Sequence, residues 1–170
     1  MINIELIKHS DVSKNAIDEI ITIKNEHWRY SYEQQLEWLD KNILESDYHL
    51  LVRNSEARLV AYLNMVLLIL TLENGVNIQF IGIGNVCTTL ANKNQNLGNL
   101  LLSASAYYLK SNSIPSCLFC KENLIGFYMR NGWKLFEGFV YFNDKKIDGF
   151  FLFKDFDLNV NSSIKINRSF

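Results

Sequence analysis

The segment Lys93-Asn94-Gln95-Asn96-Leu97-Gly98 lies between a strand-like run and a helix-like run. Upstream, residues 80–88 are apolar, β-branched and interrupted by glycines, which predicts a buried strand that bends or bulges. Downstream, apolar residues recur at helical spacing from Leu97 to Tyr108, which predicts an amphipathic helix. Backbone N–H groups at the start of a helix bind anions, and Lys93 adds a positive charge. The segment therefore predicts a phosphate site for a nucleotide-containing cofactor.

A second motif, Phe127-Tyr128 followed by Gly132-Trp133, comes soon after the strand-like run Ser116–Cys120. With both motifs in this order, the chain resembles the GNAT superfamily of acyl-CoA-dependent N-acetyltransferases over residues 48–142. An aromatic pair on a short helix that ends in Gly-aromatic is the later signature of that family.

The first motif departs from the family pattern at two positions. The pattern is Q/R-x-x-G-x-G/A, and here Lys93, Asn96 and Gly98 occupy its three defined positions. Lys93 keeps the positive charge of arginine but lacks its bidentate fork. Asn96 replaces the first glycine, and Asn is the non-glycine residue that best tolerates a left-handed backbone. We therefore expect the turn to be kept.

The length of 170 residues predicts one domain over residues 1–157, followed by a polar, poorly anchored tail at 158–170. Hydrophobic residues make up 48% of the chain and Gly and Pro are few, so wholesale disorder is disfavoured. A formal net charge of −1 argues against a nucleic-acid partner. The amino terminus lacks a signal-peptide pattern, and the most apolar run, Leu59–Leu72, is too short to span a bilayer.

Three cysteines without a secretion signal favour a reduced, cytoplasmic setting. Cys117 and Cys120 form a lone C-x-x-C, but residues three apart on a strand point to opposite faces, which suits neither zinc nor a redox pair. The histidines His9, His27 and His49 are scattered singly. We expect buried structural cysteines and no metal site.

Hydrophobic periodicity predicts the element order β-α-α-β-β-β-α-β-α-β-β, which GNAT domains share. The predicted elements are a strand at Ile2–Lys8, helices at Val12–Trp28 (capped by Ser10 or Asp11) and Glu33–Leu44, strands at Tyr48–Arg53 and Arg58–Leu72, a long strand that ends near Thr88 after an Asn74-Gly75 hairpin, a helix at Leu97–Lys110, a short strand, a short helix, and two closing strands around residues 143–146.

The resemblance implies an α/β fold of GNAT type, with a mixed, mostly antiparallel central sheet flanked by helices and splayed between the fourth and fifth strands. It implies acetyl-CoA as the co-substrate, with the pantetheine arm hydrogen-bonded to the backbone of Val86, Cys87 and Thr88. The Val86 N–H then faces the acetyl carbonyl and stabilises the negative charge that develops on its oxygen. The implied phosphate cradle consists of Lys93, Asn94, Gln95, Asn96, Leu97, Gly98 and Asn99.

Tyr128 is the catalytic residue that the resemblance implies. In related enzymes a tyrosine at this point lies beside the cofactor sulfur and donates its proton to the departing thiolate. A tyrosine on a short amphipathic helix is more often a core residue, but the Phe-Tyr-x-x-x-Gly-Trp context favours catalysis here. Asn123, near the start of the same helix, either binds the cofactor or caps the helix.

The segment Trp28–Tyr32, between the first two helices, is the predicted acceptor loop, with Trp28 and Tyr30 as substrate-binding residues. The alternative is a hydrophobic anchor between the helices. Glu73, Glu26 and His27 are candidates for the general base, although residues of these types lie mostly on the surface. We expect a chain of ordered water to accept the proton.

The resemblance implies an acetyl-CoA-dependent N-acetyltransferase that acts on a primary amine of a small molecule, such as an amino sugar or an aminoglycoside-like amine. Two alternatives stay open: a protein or peptide N-acetyltransferase, and a non-catalytic acyl-CoA-binding sensor. Many GNAT domains dimerise through their closing strands, and the run Phe150–Phe153 suits either a homodimer contact or a buried strand. The sequence does not specify the acceptor, the acyl length or the oligomeric state.

Overall fold

The structure, a computed structural model, describes residues 2–159 and 162–170. These residues form two compact units. The first unit contains the residues up to Val66, Gly84–Tyr108 and Phe170, and the second contains Leu67–Ile83 and the described residues of Leu109–Ser169. Two strands are divided between the units: the strand Leu59–Leu72 after Val66, and the strand Asn77–Thr88 after Ile83.

The first unit combines helices with antiparallel strands. Strand β1 pairs antiparallel with β2, and β2 pairs antiparallel with β3. The observed bounds of the helices and strands, given in the next sentence, agree with the predicted bounds to within a few residues, and the bounds of β2 agree at both ends. The elements are β1 (Asn3–Lys8), α1 (Lys14–Asn25), α2 (Tyr32–Asn42), β2 (Tyr48–Arg53), the start of β3 (Leu59–Leu72), the end of β4 (Asn77–Thr88) and most of α3 (Leu97–Ser111).

Helix α1 begins later than the sequence predicts. Ser13 is its N-cap, and the Ser13 hydroxyl accepts a hydrogen bond from the Ala16 N–H at 3.2 Å. The predicted cap at Ser10 or Asp11 is wrong, because residues 9–11 form a separate 3-10 turn before the helix. Helix α2 begins with a capping box, in which Ser31 and Gln34 satisfy each other's backbone N–H groups.

Helix α1 lies at the centre of the core of the first unit. Its residues Ile20 and Ile23 pack against side chains of β2, β3 and β4, whereas Ile21 packs against α2. Burial of such side chains from water is the main force that holds a helix to its neighbours. The strand-facing cluster consists of Ile20, Ile23, Leu51, Leu59, Tyr62 and Cys87, and the α2-facing cluster consists of Ile21, Leu39, Ile43 and Val66.

A histidine lies fully buried in this core. His49 Nδ1 is 2.9 Å from the Tyr62 hydroxyl, and His49 Nε2 is 2.8 Å from His9 Nδ1. The sequence shows His9 and His49 as single, distant residues, but the antiparallel pairing of β1 with β2 brings them together. Burial, with a further contribution from His9, lowers the pKa of His49 to about 4.

We expect this histidine to make the protein sensitive to acid. Because the folded-state pKa of His49 is lowered from 6.5, the unfolded chain binds the proton first, and stability is lost as the pH falls from 6.5 towards 4. The expected loss between pH 7.5 and pH 5 is about 2 kcal/mol. Urea unfolding of His49→Gln should show a flatter pH dependence than urea unfolding of the wild type. An unchanged pH dependence in His49→Gln would contradict the assignment.

The second unit is built around a mixed sheet. Its strand order is β6-β9-β5-β4-β3-β10-β7-β8. The pairs β4/β5 and β7/β10 are parallel, and β3/β10, β5/β9, β6/β9 and β7/β8 are antiparallel. The predicted class, an α/β fold with a mixed, mostly antiparallel sheet, is confirmed. The elements introduced here are β5 (Ser116–Cys120), α4 (Ile125–Arg130), β6 (Lys134–Leu135), β7 (Phe139–Phe142), β8 (Lys145–Lys146), β9 (Phe150–Lys154) and β10 (Ser163–Ile166).

The parallel pairing of β4 with β5 is short. It comprises two residue pairs, Ile81 with Ser116 and Gly82 with Cys117. Two residues of each strand are paired, although β4 has 12 residues and β5 has five. This short pairing agrees with the predicted splay between the two strands.

The tail after Asp157 contains a strand. Strand β10 pairs with both β3 and β7, and its residues Ile164 and Ile166 are buried. The expectation of a poorly anchored tail is therefore wrong for this strand, because the alternation of two isoleucines was hidden in a sequence rich in Asn and Ser. Residues 160 and 161 of the predicted tail lie outside the described residues.

The closing part of the chain contains more strands than the two predicted. The hairpin β7/β8 turns at Asn143 and Asp144, which both have positive φ. Strand β9 follows and pairs with β5 on one side and β6 on the other. The run Phe150–Phe153 is thus a paired core strand, and its residues Phe151 and Phe153 are buried. Homodimerisation stays a prediction.

Candidate active site

Strand β4 contains a left-handed residue directly before Val86. Asn85 has φ 51, and a positive φ inside a strand is typical of a β-bulge. The Asn85 Nδ2 donates to Oδ1 of the fully buried Asn64 at 2.6 Å. Gly84 leaves room for this pair, because a Cβ at Gly84 would lie 3.1 Å from both amide atoms of Asn64. We infer from this conformation that the bulge predicted for this strand lies at Asn85.

The three residues after the bulge are the predicted pantetheine-binding backbone. Val86 and Thr88 are half-buried, whereas Cys87 is buried. Burial raises the pKa of the Cys87 thiol to about 12, so its side chain stays a neutral thiol. The Thr88 carbonyl accepts a hydrogen bond from His27 Nε2 at 2.6 Å. His27 therefore supports the backbone at this point, with its proton on Nε2.

The predicted phosphate cradle leads from a 3-10 turn into α3. Asn94 and Asn96 have φ values of 68 and 61, so the left-handed conformation predicted for Asn96 is confirmed. Helix α3 begins at Leu97, directly after Asn96, and the Lys93 side chain is exposed. The segment 86–99 contains one lysine and no acidic residue. Such a set of donors fits an anion rather than a cation.

The two predicted acceptor residues, Trp28 and Tyr30, line a single cavity in the first unit. The cavity has a volume of about 460 Å³. Gln35 lies at its wall, where Gln35 Nε2 donates to the Trp28 carbonyl at 2.9 Å. The residues that line the cavity are Lys24, Trp28, Tyr30, Gln34, Gln35, Trp38 and Asn85.

Lys24 is one of five described cavity residues that the sequence analysis did not predict; the others are Gln34, Gln35, Trp38 and Asn85. Only 2% of the surface of Lys24 is exposed, and its Nζ lies 4.1 Å from the centre of the Trp38 ring. Burial lowers the pKa of Lys24 to about 8, so the side chain is still mainly an ammonium at neutral pH. The sequence does contain an indication that Lys24 is buried, because Lys24 follows Ile20 and Ile21 at the helical spacing that places all three on one face of α1.

Tyr128 belongs to the second unit, where backbone hydrogen bonds and two aromatic rings fix it. The Trp133 N–H donates to the Tyr128 carbonyl and the Gly132 N–H to the Met129 carbonyl, which is a Schellman motif with Gly132 at φ 83. The rings of Phe127 and Trp133 pack edge-to-face on Tyr128, with centroid distances of 5.1 and 6.3 Å. The aromatic pair and the Gly-Trp of the sequence motif are therefore parts of one structure.

The Tyr128 hydroxyl stays protonated across the physiological pH range. The side chain is 5% exposed, and burial, with a smaller contribution from Cys120, raises its pKa well above 10. Among the described residues, none forms a hydrogen bond with this hydroxyl. The hydroxyl is therefore available as a donor to a bound group.

Asn123 does not cap α4. The N-cap is Leu124, which makes no side-chain capping hydrogen bond, and Asn123 is exposed in a 3-10 turn. The capping alternative for Asn123 is wrong, and its binding role stays a prediction. Cys117 is fully buried and Cys120 is half-buried, and burial raises the pKa of both thiols.

The predicted site residues divide between the two units. The first unit contains the backbone 86–88, the cradle 93–99 and both acceptor residues, and it brings the acceptor residues together with Asn85 around the cavity. The second unit contains Tyr128 and Asn123.

Within residues 2–159 and 162–170, no group of three or more His, Cys, Asp or Glu side chains is arranged to hold a metal ion. Over the same residues, no helix is long and apolar enough to cross a membrane.

Solved structures share this fold. An acyl-CoA N-acyltransferase from Pseudomonas aeruginosa aligns with a TM-score of 0.67 at 17% identity, over 91% of this chain and 99% of that one. The GNAT family N-acetyltransferase YhbS from Escherichia coli, solved in complex with CoA, aligns with a TM-score of 0.67 at 13% identity, over 98% and 89%. The ribosomal-protein-S18-alanine N-acetyltransferase from Escherichia coli gives a TM-score of 0.63 at 12% identity, over 91% and 93%.

Sequence comparison identifies the family. The comparison with curated proteins gives no significant match. The sequence model of the family described as "Acetyltransferase (GNAT) domain" matches residues 9–136. Since this match spans most of the sequence, the chain belongs to the GNAT family of acetyl-CoA-dependent N-acetyltransferases.

Proposed function

We propose that the chain transfers the acetyl group of acetyl-CoA to a primary amine of a small molecule. The cavity lined by Trp28 and Tyr30 is the observation that carries this proposal. Its volume of about 460 Å³ lies within the range of small-molecule sites. Asn85 lines the cavity and directly precedes Val86, so an amine in the cavity would lie near the backbone proposed to hold the acetyl group.

Acetyl-CoA provides an activated thioester carbonyl that an amine can attack directly. The Val86 N–H is proposed to donate to the carbonyl oxygen, since the bulge at Asn85 interrupts the regular strand ladder. The start of α3 and Lys93 are proposed to bind the phosphates. Tyr128 is proposed to donate a hydrogen bond to the sulfur.

The proton of the amine goes to water in this proposal. The Glu26 carboxylate accepts a hydrogen bond from the Leu90 N–H, and His27 Nε2 donates to the Thr88 carbonyl. Glu73 belongs to the second unit, beside the β3–β4 hairpin. None of the three lines the cavity in the first unit. An ordered water is therefore the proposed proton acceptor.

The cradle can be tested through CoA affinity. Gly98→Val places a branched side chain in the first turn of α3, where the backbone would approach the pyrophosphate, and we expect CoA affinity to fall by about tenfold or more. Lys93→Ala should cost about fivefold, because an exposed charge contributes modestly. Calorimetric titration with CoA measures both, and Lys110→Ala is the matched charge control. Wild-type affinity in a folded Gly98→Val protein would remove the cradle from the proposal.

The proposed function is tested with an acceptor panel. Acetyl-CoA is supplied with amino acids, amino sugars, aminoglycosides, polyamines and lysine- or alanine-ended peptides, and the products are identified by mass spectrometry. We expect transfer to at least one small amine in clear excess over peptides. Preferred transfer to peptides would instead establish the protein acetyltransferase alternative. CoA binding without transfer to any acceptor would establish the sensor alternative.

A further inference from the structure

Lys24 places a positive charge in the cavity wall without an opposite charge beside it. Its surface is 2% exposed, although it lies in the last turn of α1. None of the ion pairs among residues 2–159 and 162–170 includes Lys24. The contact of its Nζ with the Trp38 ring compensates part of the lost hydration but carries no negative charge. A buried ammonium of this kind is unfavourable unless an anion meets it.

The neighbours of Lys24 do not provide that anion. Cys87 interacts electrostatically with Lys24 but is a neutral thiol at neutral pH, because burial raises its pKa to about 12. Glu26 makes no ion pair with Lys24, and its carboxylate accepts a hydrogen bond from the Leu90 N–H instead. His49, which also interacts with Lys24, is neutral at this pH. No described neighbour therefore balances the charge of Lys24.

The rest of the cavity wall matches a ligand that is partly apolar and partly anionic. Trp28, Tyr30 and Trp38 offer aromatic surface, and the Gln34 side-chain amide can donate hydrogen bonds to a ligand. The Gln35 amide already donates to Asn25 and to the Trp28 carbonyl, and the Asn85 amide already donates one hydrogen bond to Asn64. Among the residues that the structure describes, no aspartate or glutamate lines the cavity. A polyamine or an aminoglycoside would bring further positive charge towards Lys24, and no wall carboxylate would offset it.

We propose that this cavity binds an acceptor amine that also carries a carboxylate, with the carboxylate paired to Lys24 Nζ. This inference rests on the proposed acetyl transfer to a small molecule and names its substrate class: amino acids and related amino carboxylates. A carboxylate carries one negative charge, which one ammonium balances, whereas a phosphate monoester carries up to two. Asn85 extends the cavity wall to the residue before Val86, so the amine end of such a molecule would point towards the acetyl group.

The inference is tested by equilibrium binding with matched pairs of probes. Each pair consists of an amino acid and its own carboxamide: phenylalanine and phenylalaninamide, leucine and leucinamide, β-alanine and β-alaninamide. The full-length protein is titrated calorimetrically with each probe in the presence of CoA. We expect at least one acid to bind roughly 10- to 100-fold more tightly than its amide, as a hydrogen bond between charged groups predicts.

Variants at Lys24 separate this role from a structural one. Lys24→Met keeps a long apolar side chain and should remove the preference for the acid, whereas Lys24→Arg should keep a part of it. Lys14→Met, at an exposed position of the same helix, makes the same change in net charge and should keep the wild-type preference. Thermal unfolding confirms that each variant is folded.

Equal affinity for acid and amide in every pair, a preference for the amides, or no binding of any acid at millimolar concentration would overturn the inference. So would a preference for the acid that persists in folded Lys24→Met. Binding is measured without turnover, so its outcome is independent of the acceptor panel. A protein that binds amino acids through Lys24 but never acetylates them would contradict the proposed function alone.

Discussion

Tyr128→Phe is expected to lower the single-turnover rate of acetyl transfer by roughly 10²- to 10⁴-fold, the range typical of a lost general acid. The substitution removes only the hydroxyl, and the ring should keep its edge-to-face contacts with Phe127 and Trp133. Because no hydrogen bond among the described residues holds the hydroxyl, its loss should change stability little. CoA affinity should also change little.

The raised pKa of Tyr128 refines its proposed role. A free thiol has a pKa of about 8.5, so complete transfer of a proton from a buried tyrosine to a thiolate is unfavourable. A strong hydrogen bond to the sulfur as it leaves is more favourable than an isolated phenolate in this apolar setting.

The rate must be measured in a single turnover, since slow product release can conceal a slower chemical step. Tyr107→Phe, which removes an exposed hydroxyl from α3, is the matched control and should leave the rate unchanged. A loss of less than a few-fold in Tyr128→Phe would make Tyr128 a packing residue.

Lys24→Met is expected to stabilise the protein by about 3 kcal/mol at pH 7. The folded-state pKa of Lys24 is lowered from 10.5 to about 8, so the folded state binds its proton more weakly than the unfolded chain does. Stability of the wild type therefore rises as the pH increases from 8 towards 10.5. The advantage of Lys24→Met should shrink to about 1 kcal/mol at pH 10.

Urea unfolding of both proteins from pH 7 to pH 10 measures this difference. The titratable neighbours Cys87 and His49 have pKa values of about 12 and 4, so neither changes its charge within this window. Lys14→Met, at an exposed position, should follow the wild type at every pH. A destabilised Lys24→Met protein at pH 7 would show that the contact with Trp38 outweighs the desolvation of the ammonium.

The backbone-determined parts of the fold and site could be predicted from the sequence. Apolar periodicity located β2 and α3, and the tolerance of Asn for positive φ correctly predicted the conformation of Asn96. Strand β10 was missed because two alternating isoleucines in a short polar segment give little signal. The cap at Ser13 was missed because Ser10 and Asp11 are equally good capping residues by type.

The polar cavity residues were harder to predict for a different physical reason. A lysine in an amphipathic helix normally extends to solvent even from the edge of the buried face, and local spacing does not show that Trp38 of α2 covers Lys24. Asn85 has no distinctive sequence signal beyond its preceding glycine, yet the pair it forms with Asn64 depends on the register of two strands. Contacts between side chains far apart in sequence are set by tertiary packing, which local patterns do not encode.

The Schellman motif at the end of α4 has a practical consequence for the study of Tyr128. The Tyr128 ring is held by the backbone hydrogen bonds of this motif and by its edge-to-face contacts with Phe127 and Trp133, and among the described residues no hydrogen bond to its hydroxyl takes part. Fluorinated tyrosines, introduced by an expanded genetic code, can therefore vary the acidity of the phenol in small steps while the ring stays aimed the same way. The slope of rate against acidity in such a series would give the extent to which the proton has moved at the transition state, which no phenylalanine substitution can reveal.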